Sequence, residues 1–198
     1  MRKPLAAALV AALLVLTGCS SDSPVPGRAK VDVDTPELRQ LKTDAGIEDC
    51  APGTAESGGL PDLTLACLGG GSDVDLATLQ GPMVVNLWAS WCGPCRKEMP
   101  AIQDFYEQYG EQVPVLGIDY QDPQPAAALD LAGKSGVTYP LLADPGGDVN
   151  AKDPLPPIRG LPYLLFLDAD GSLSVVAGGI ESADDLVTLV NEHLGTDL

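Results

Sequence analysis

Histidine is nearly missing from this chain of 198 residues: His193 is the only one. A single imidazole with no evident partner in sequence leaves no Cys–His nucleophilic dyad. A tetrahedral zinc site needs four ligands, so it would have to recruit Cys50, Cys67, Cys92 and Cys95 together. Covalent haem attachment needs Cys-x-x-Cys-His, and Arg96 follows Cys95 here. Basic residues are scarce as well, 11 Lys and Arg against 28 Asp and Glu, for a formal charge of −17. Nucleic acid is thereby excluded as a partner, because phosphate neutralisation needs clustered cations. The acidic balance favours solubility, or partners that carry a basic patch, and says nothing about fold. Long hydrophobic runs are also missing. The wholly apolar stretch 5–16 makes about 18 Å of helix, too short for a hydrocarbon core of about 30 Å. No internal repeat appears.

That short run is nevertheless informative. Arg2 and Lys3 precede it and Leu16-Thr17-Gly18-Cys19 follows it. A basic start, a short apolar run and small residues before a cut read as a secretory signal over 1–18. Leu-Thr-Gly-Cys resembles the bacterial lipobox, which implies that Cys19 becomes the lipidated first residue of the mature chain. Residues 19–34 are rich in Ser, Pro, Asp and Gly and have no hydrophobic period, which predicts a flexible tether. With Cys19 carrying lipid, four cysteines remain, an even number in an exported chain, and exported cysteines usually pair.

The remaining 164 residues suffice for one domain with a proper core. An N-terminal extension, 35–59, opens with Thr35-Pro36-Glu37, a hydroxyl at the cap and Pro at the first helical position. A short helix ending before Gly46 is expected. From residue 60 a regular alternation begins. Leu63, Leu65 and Cys67 share one face of a strand, Gly69-Gly70-Gly71 turns it, and residues 74–76 return as a hairpin partner. Residues 83–89 read as a buried central strand. A helix follows from near Cys92 to about Tyr109, then a strand over 113–118, a helix over 123–135 and a short strand over 139–142. A Pro- and Gly-rich loop crosses 144–160. Tyr163–Leu167 and Leu173–Ala177 form two strands joined at Asp170-Gly171. Ser182 and Asp185 stand at capping-box spacing before a last amphipathic helix. The order is β-hairpin, β-α-β-α, β-β-α, which makes 60–198 an α/β domain with a mixed sheet.

The chemistry gathers at Trp91-Cys92-Gly93-Pro94-Cys95. A strand that hands over to a helix here puts Cys92 at the helix N-terminus, where unpaired N–H groups and the dipole stabilise a thiolate. Such placement within Cys-x-x-Cys lowers a thiol pKa from about 8.5 into a range of roughly 3.5–7.5. The thiolate attacks, so Cys92 is the nucleophile. Cys95 lies one turn along and can resolve a mixed disulfide.

The whole stretch MVVNLWASWCGPCRKEMP, residues 83–100, resembles the active site of thioredoxin-fold proteins. It is closest in pattern to the TlpA/ResA-like branch of exported, membrane-tethered thiol–disulfide oxidoreductases. The resemblance covers roughly residues 60–194. It implies a thioredoxin-like α/β fold, a mixed central sheet flanked by helices, with an N-terminal β-hairpin and a central insertion carried by the 123–135 helix and the loop after it. Asn86 stands where ordinary thioredoxins carry a buried Asp, and Asn cannot accept a catalytic proton. In the TlpA/ResA-like branch the acid lies on the helix, and the matching residue is Glu98, three after Cys95 and able to face the pair across one turn. From that place Glu98 is expected to take or give Cys95's proton and to tune the thiol pKa values; the alternative is a solvated glutamate on the helix surface. Pro100, inside the helix, is assigned to shape. Trp91, Gly93 and Pro94 are implied to meet substrate, and Trp88 belongs to the core. Gly160-Leu161-Pro162-Tyr163 matches the family's cis-Pro loop, which makes Leu161 and Pro162 substrate-contacting.

Cys50 and Cys67 lie outside the motif. Their simplest reading is a structural disulfide that clips the extension to the sheet. A sharper one makes them a second redox pair relaying electrons to Cys92–Cys95. The expected function is disulfide exchange with exported protein thiols and disulfides at the extracytoplasmic face of the membrane, by a monomer with no metal and no cofactor. Resemblance to the branch implies a reductase, for instance on cytochrome c precursors, recharged by a membrane thiol transporter of the CcdA type. An oxidase of exported proteins is the alternative direction. A thiol peroxidase would need a peroxidatic Cys in a donor-rich loop of its own, which is not found. A lipoprotein binding module that retains the fold would show no exchange activity.

Overall fold

The computed structural model describes residues 31–150 and 152–198. The expected signal peptide over 1–18, Cys19 and the tether up to residue 30 lie outside the described residues. Among those described, no helix is long and apolar enough to cross a membrane.

Helix α1 (Pro36–Ala45) starts where Thr35 Oγ accepts the Leu38 N–H at 3.3 Å, satisfying one of the free donors of the first turn. It stops at Gly46, whose φ of 72° suits a residue without a Cβ. The chain then forms β1 (Thr64–Cys67), β2 (Val74–Asp75), a 3-10 turn at Leu76–Thr78, β3 (Met83–Trp88), α2 (Cys95–Tyr109), β4 (Val115–Tyr120), α3 (Pro125–Lys134), β5 (Leu141–Asp144), β6 (Tyr163–Leu167), β7 (Leu173–Ala177) and α4 (Ala183–Leu194). One seven-stranded sheet results, in the order β2-β1-β5-β4-β3-β6-β7. The strands β3, β4 and β5 run parallel, and the two outer hairpins are antiparallel.

Central β3 is buried at all six residues, as its apolar run demands. Alternation sends Val84 and Trp88 to one face and Met83, Val85 and Leu87 to the other, so the core divides into two clusters. Met99, Ile102 and Phe105 of α2 and Leu186 and Val190 of α4 cover the first face. The second is covered by irregular chain, with Leu60, Leu76, Val149 and Leu155 packed on it. Strand β4 starts two residues later than the apolar pattern suggests. Val113 still bonds back to Tyr109 at the end of α2, and Pro114, which has no N–H, offers only its carbonyl to Val84 at 2.9 Å. The capping box of α4 closes in both directions, Asp185 N–H to Ser182 Oγ at 3.2 Å and Ser182 N–H to Asp185 Oδ2 at 3.0 Å. His193 does have partners: its ring stacks on Phe166 with centroids 4.8 Å apart, and Nδ1 lies 3.1 Å from Ser174 Oγ. The hairpin β6–β7 brings both beneath α4, a pairing that local spacing could not reveal.

Candidate active site

Strand β3 ends at Trp88 and delivers the chain into the loop 89–94, and α2 begins only at Cys95, three residues later than the motif suggests. Cys92 is nevertheless inside a helical turn, since its carbonyl accepts the Arg96 N–H at 3.4 Å. The Cys95 N–H points at Cys92 Sγ, 3.2 Å away, and the two cysteines are joined as a disulfide. Sulfur at position 92 thus faces a free donor of a helix N-terminus, the arrangement that stabilises a thiolate once the bond is reduced. Cys92 is 4% exposed and Cys95 wholly buried, so an incoming sulfur can reach only the first.

The loop around Cys92 is held from both sides. Asp122, itself buried, accepts the Ser90 N–H through Oδ2 at 2.7 Å and the Gln124 N–H through Oδ1 at 2.9 Å. Arg96 returns from α2 to donate through Nε and Nη2 to the Ser90 carbonyl, at 3.2 and 2.7 Å. Both amide groups of Ser90 are therefore fixed, one by each charge. Trp91 is 51% exposed and is tied at its edge, Nε1 donating to the Gln121 carbonyl at 3.2 Å. Beside it runs a groove of about 350 Å³ between the loop and α3, lined by Ser90, Trp91, Arg96, Gln124, Leu131 and Lys134 among others. Gly93 and Pro94 are exposed at the tip of the motif.

Pairing of Leu87 with Tyr163 sets Pro162 beside the end of β3 from which the motif departs. The Leu161–Pro162 peptide bond is cis, and the Pro162 carbonyl accepts the Gly178 N–H at 3.0 Å. Glu98 is wholly buried on the inner side of α2. A Cβ placed on Gly179 would stand 3.1 Å from Glu98 Oε2 and 3.5 Å from Pro162 Cγ. Glu98 thus occupies the space between the helix and the cis-Pro loop. Burial pushes its carboxyl up to about 8. The Ile180 amide and the Asn86 side chain pull the other way, yet neither carboxyl oxygen is in hydrogen-bonding geometry with a partner, so burial dominates. Asn86, Trp88 and Tyr139 line the same interior with polar atoms that are likewise unpartnered. The part played by Asp122, Arg96, Gly179 and Tyr139 went unforeseen in the sequence. Only the turn-forming Asp122-Pro123 step hinted at any of it.

The second disulfide joins Cys50, beyond α1, to Cys67 at the end of β1. Its sulfurs belong to the cluster on the second face of the sheet, whereas Cys92 and Cys95 belong to the first. The structure does not bring the two pairs together.

A fold of this order with Cys-Gly-Pro-Cys at the strand–helix junction invites comparison with known proteins. Residues 59–175 match the sequence profile of the AhpC/TSA family, which is more than half of the chain. The chain belongs to the AhpC/TSA family. Relatives of this chain include proteins named ResA. The thiol-disulfide oxidoreductase ResA of Oceanobacillus iheyensis is 31% identical over 123 residues, covering 61% of this chain and 62% of that protein. The chain therefore spans less than two thirds of that relative's length. Among solved structures, a DsbF homologue from Corynebacterium diphtheriae superposes with a TM-score of 0.60 at 27% identity, over 69% of this chain and 87% of that one. A secreted Mycobacterium tuberculosis disulfide oxidoreductase homologous to E. coli DsbE gives 0.56 at 25%, over 66% and 96%. Both likenesses fit a thioredoxin-like member of the AhpC/TSA family, with its mixed sheet and flanking helices.

Proposed function

We propose that this protein is a thiol–disulfide oxidoreductase that works through Cys92 and Cys95, tethered by a lipidated Cys19 to the extracytoplasmic face of the membrane. The observation that carries the reading is the Cys95 N–H aimed at the sulfur of Cys92, a residue that keeps slight exposure while Cys95 itself is sealed. In the reduced protein the Cys92 thiolate attacks a substrate disulfide and displaces one substrate sulfur as thiolate. Cys95 then loses its proton, attacks Cys92 Sγ and releases the second. The substrate gains two electrons and the pair becomes the disulfide found here. Glu98 stands in this scheme as the acid–base group that takes the Cys95 proton and returns it when the pair is recharged. Trp91, Gly93, Pro94, Leu161 and Pro162 form the surface on which the substrate peptide lies.

The direction proposed is reduction of exported proteins, as the TlpA/ResA-like resemblance of residues 83–100 implies, with cytochrome c precursors as a candidate substrate and a CcdA-type membrane thiol transporter as the source of electrons. The reduction potential of Cys92–Cys95 tests it. A value near −270 mV is expected for a reductant, and a value near about −120 mV would reverse the assignment to an oxidase. The tether is tested separately by mass spectrometry of the mature protein, which should find diacylglyceryl on Cys19. An unmodified, freely soluble chain would remove the anchor and leave the chemistry standing.

A further inference from the structure

The ammonium of Lys42 is buried, which is uncommon for lysine and demands compensation. Its Nζ donates to Asp49 Oδ1 at 2.8 Å and to the Gly70 carbonyl at 2.9 Å, and its third contact is Cys67 Sγ at 3.4 Å. The Gly70 contact docks α1 on the turn after β1, and the Asp49 contact ties the chain that follows α1 back to it. The third sets a full positive charge against one sulfur of a disulfide, and only that sulfur. Cys50 Sγ lies instead 3.2 Å from the Leu141 carbonyl, an environment that does nothing for a negative charge.

We propose that Cys50–Cys67 is a second thiol–disulfide exchange site, opened by a dithiol that attacks Cys50 and releases Cys67 as a thiolate held by Lys42. Access and leaving-group stability select the same direction. Cys50 is 4% exposed, as much as Cys92, whereas Cys67 is 1% exposed. Residues 51–57, directly after Cys50, are irregular and none of them is buried, so the segment beside Cys50 that would give way to a small thiol holds no helix or strand. Exchange is faster when the departing thiol is the more acidic, and an adjacent cation lowers a thiol's pKa. The step balances as follows. One thiolate of the dithiol bonds to Cys50 Sγ, and the Cys50–Cys67 bond breaks with its electron pair passing to Cys67 Sγ beside Lys42. The second thiolate of the reagent then attacks its own bound sulfur, leaving as the cyclic or oxidised disulfide and freeing Cys50 as thiolate, which solvent protonates. Two electrons enter the protein. Because the pair lies on the sheet face opposite Cys92 and Cys95, this site exchanges with an external dithiol and not with the first pair.

The folded, full-length chain is treated with dithiothreitol, quenched at intervals by alkylation and mapped by mass spectrometry, so that Cys92–Cys95 serves as an internal reference. The expected result is opening of Cys50–Cys67 without unfolding, with the transient mixed disulfide on Cys50. Lys42→Met is expected to slow that opening at least tenfold and to leave Cys92–Cys95 unchanged. A purely structural Lys42 predicts the opposite sign, since loosening α1 would expose the bond and speed its reduction. Asp49→Asn, an exposed change that frees the ammonium of its competing carboxylate, is expected to accelerate opening two- to threefold, and it decides the matter should Lys42→Met not fold. The proposal is overturned by a bond that opens only on unfolding, by a mixed disulfide on Cys67, or by rates in Lys42→Met and Asp49→Asn equal to those of the unaltered chain.

Discussion

Replacing Cys92 by serine is expected to lower disulfide exchange by about 10³-fold or more, to the background of the assay, because a hydroxyl in the same place is neither ionised nor nucleophilic toward sulfur. Cys95 cannot substitute, because at the first turn of α2 it is wholly buried and out of reach of a substrate sulfur. Cys95→Ser should fail in a different way. Cys92 keeps its helix-terminal donor and attacks, but nothing resolves the product, so the protein accumulates as a mixed disulfide with its substrate. Insulin reduction checks the first variant, and non-reducing electrophoresis with mass spectrometry checks the second. Trapping on Cys95 in the Cys92→Ser protein, or no mixed disulfide in the Cys95→Ser protein, would contradict the order of events set by burial.

How far such statements could be read from the sequence depends on the distance over which each is decided. The pairing of Cys92 with Cys95 is local: an apolar run, a four-residue motif and a helix fix it together, and all three lie within residues 83–109. The outer hairpins and α4 were equally plain, since Asp170-Gly171 and the Ser182–Asp185 box are signals of a few residues. Glu98 shows the limit. Its spacing from Cys95 indicated which side of α2 it shares, but its burial is set by Gly179 and Ile180, some eighty residues on, and by Asn86 on β3. The clamp on Ser90 is another case: Arg96 reads as an ordinary exposed cation although its partner is six residues away, and Asp122 reads as an ordinary turn residue until the parallel pairing of β3 with β4 brings its loop beside Ser90. Lys42 is a third. On a ten-residue helix it looks like solvated charge, and only the docking of α1 against the turn after β1 buries it.

Glu98→Gln is expected to change both stability and rate, each with a definite sign. The folded carboxyl ionises at about 8, against about 4.5 for the same group in the unfolded chain. Between those values the folded state holds a proton that the unfolded state has lost, so stability falls as pH rises through the window. The contribution is complete below about 4.5 and gone above about 8, and amounts to a few kcal/mol, at most about 5. Glutamine is neutral throughout and removes that dependence. Asp119 and Asp144, also raised by burial, leave a slope of their own, so the informative quantity is the difference in Tm between the two proteins. It should shift in favour of the variant from pH 5 to pH 8. The rate moves against it. A buried acid that ionises close to the range of a cysteine thiol is well matched to carry the Cys95 proton, and general acid–base help of that kind is commonly worth about 10²-fold. The resolving step, followed as release of substrate thiol from a Cys92 mixed disulfide in stopped flow, should therefore slow about 10²-fold in Glu98→Gln, most visibly at pH 8, where half of the native carboxyls are ionised. An unaltered resolving rate together with the stability shift would leave Glu98 as a buried carboxyl with no part in the proton's path.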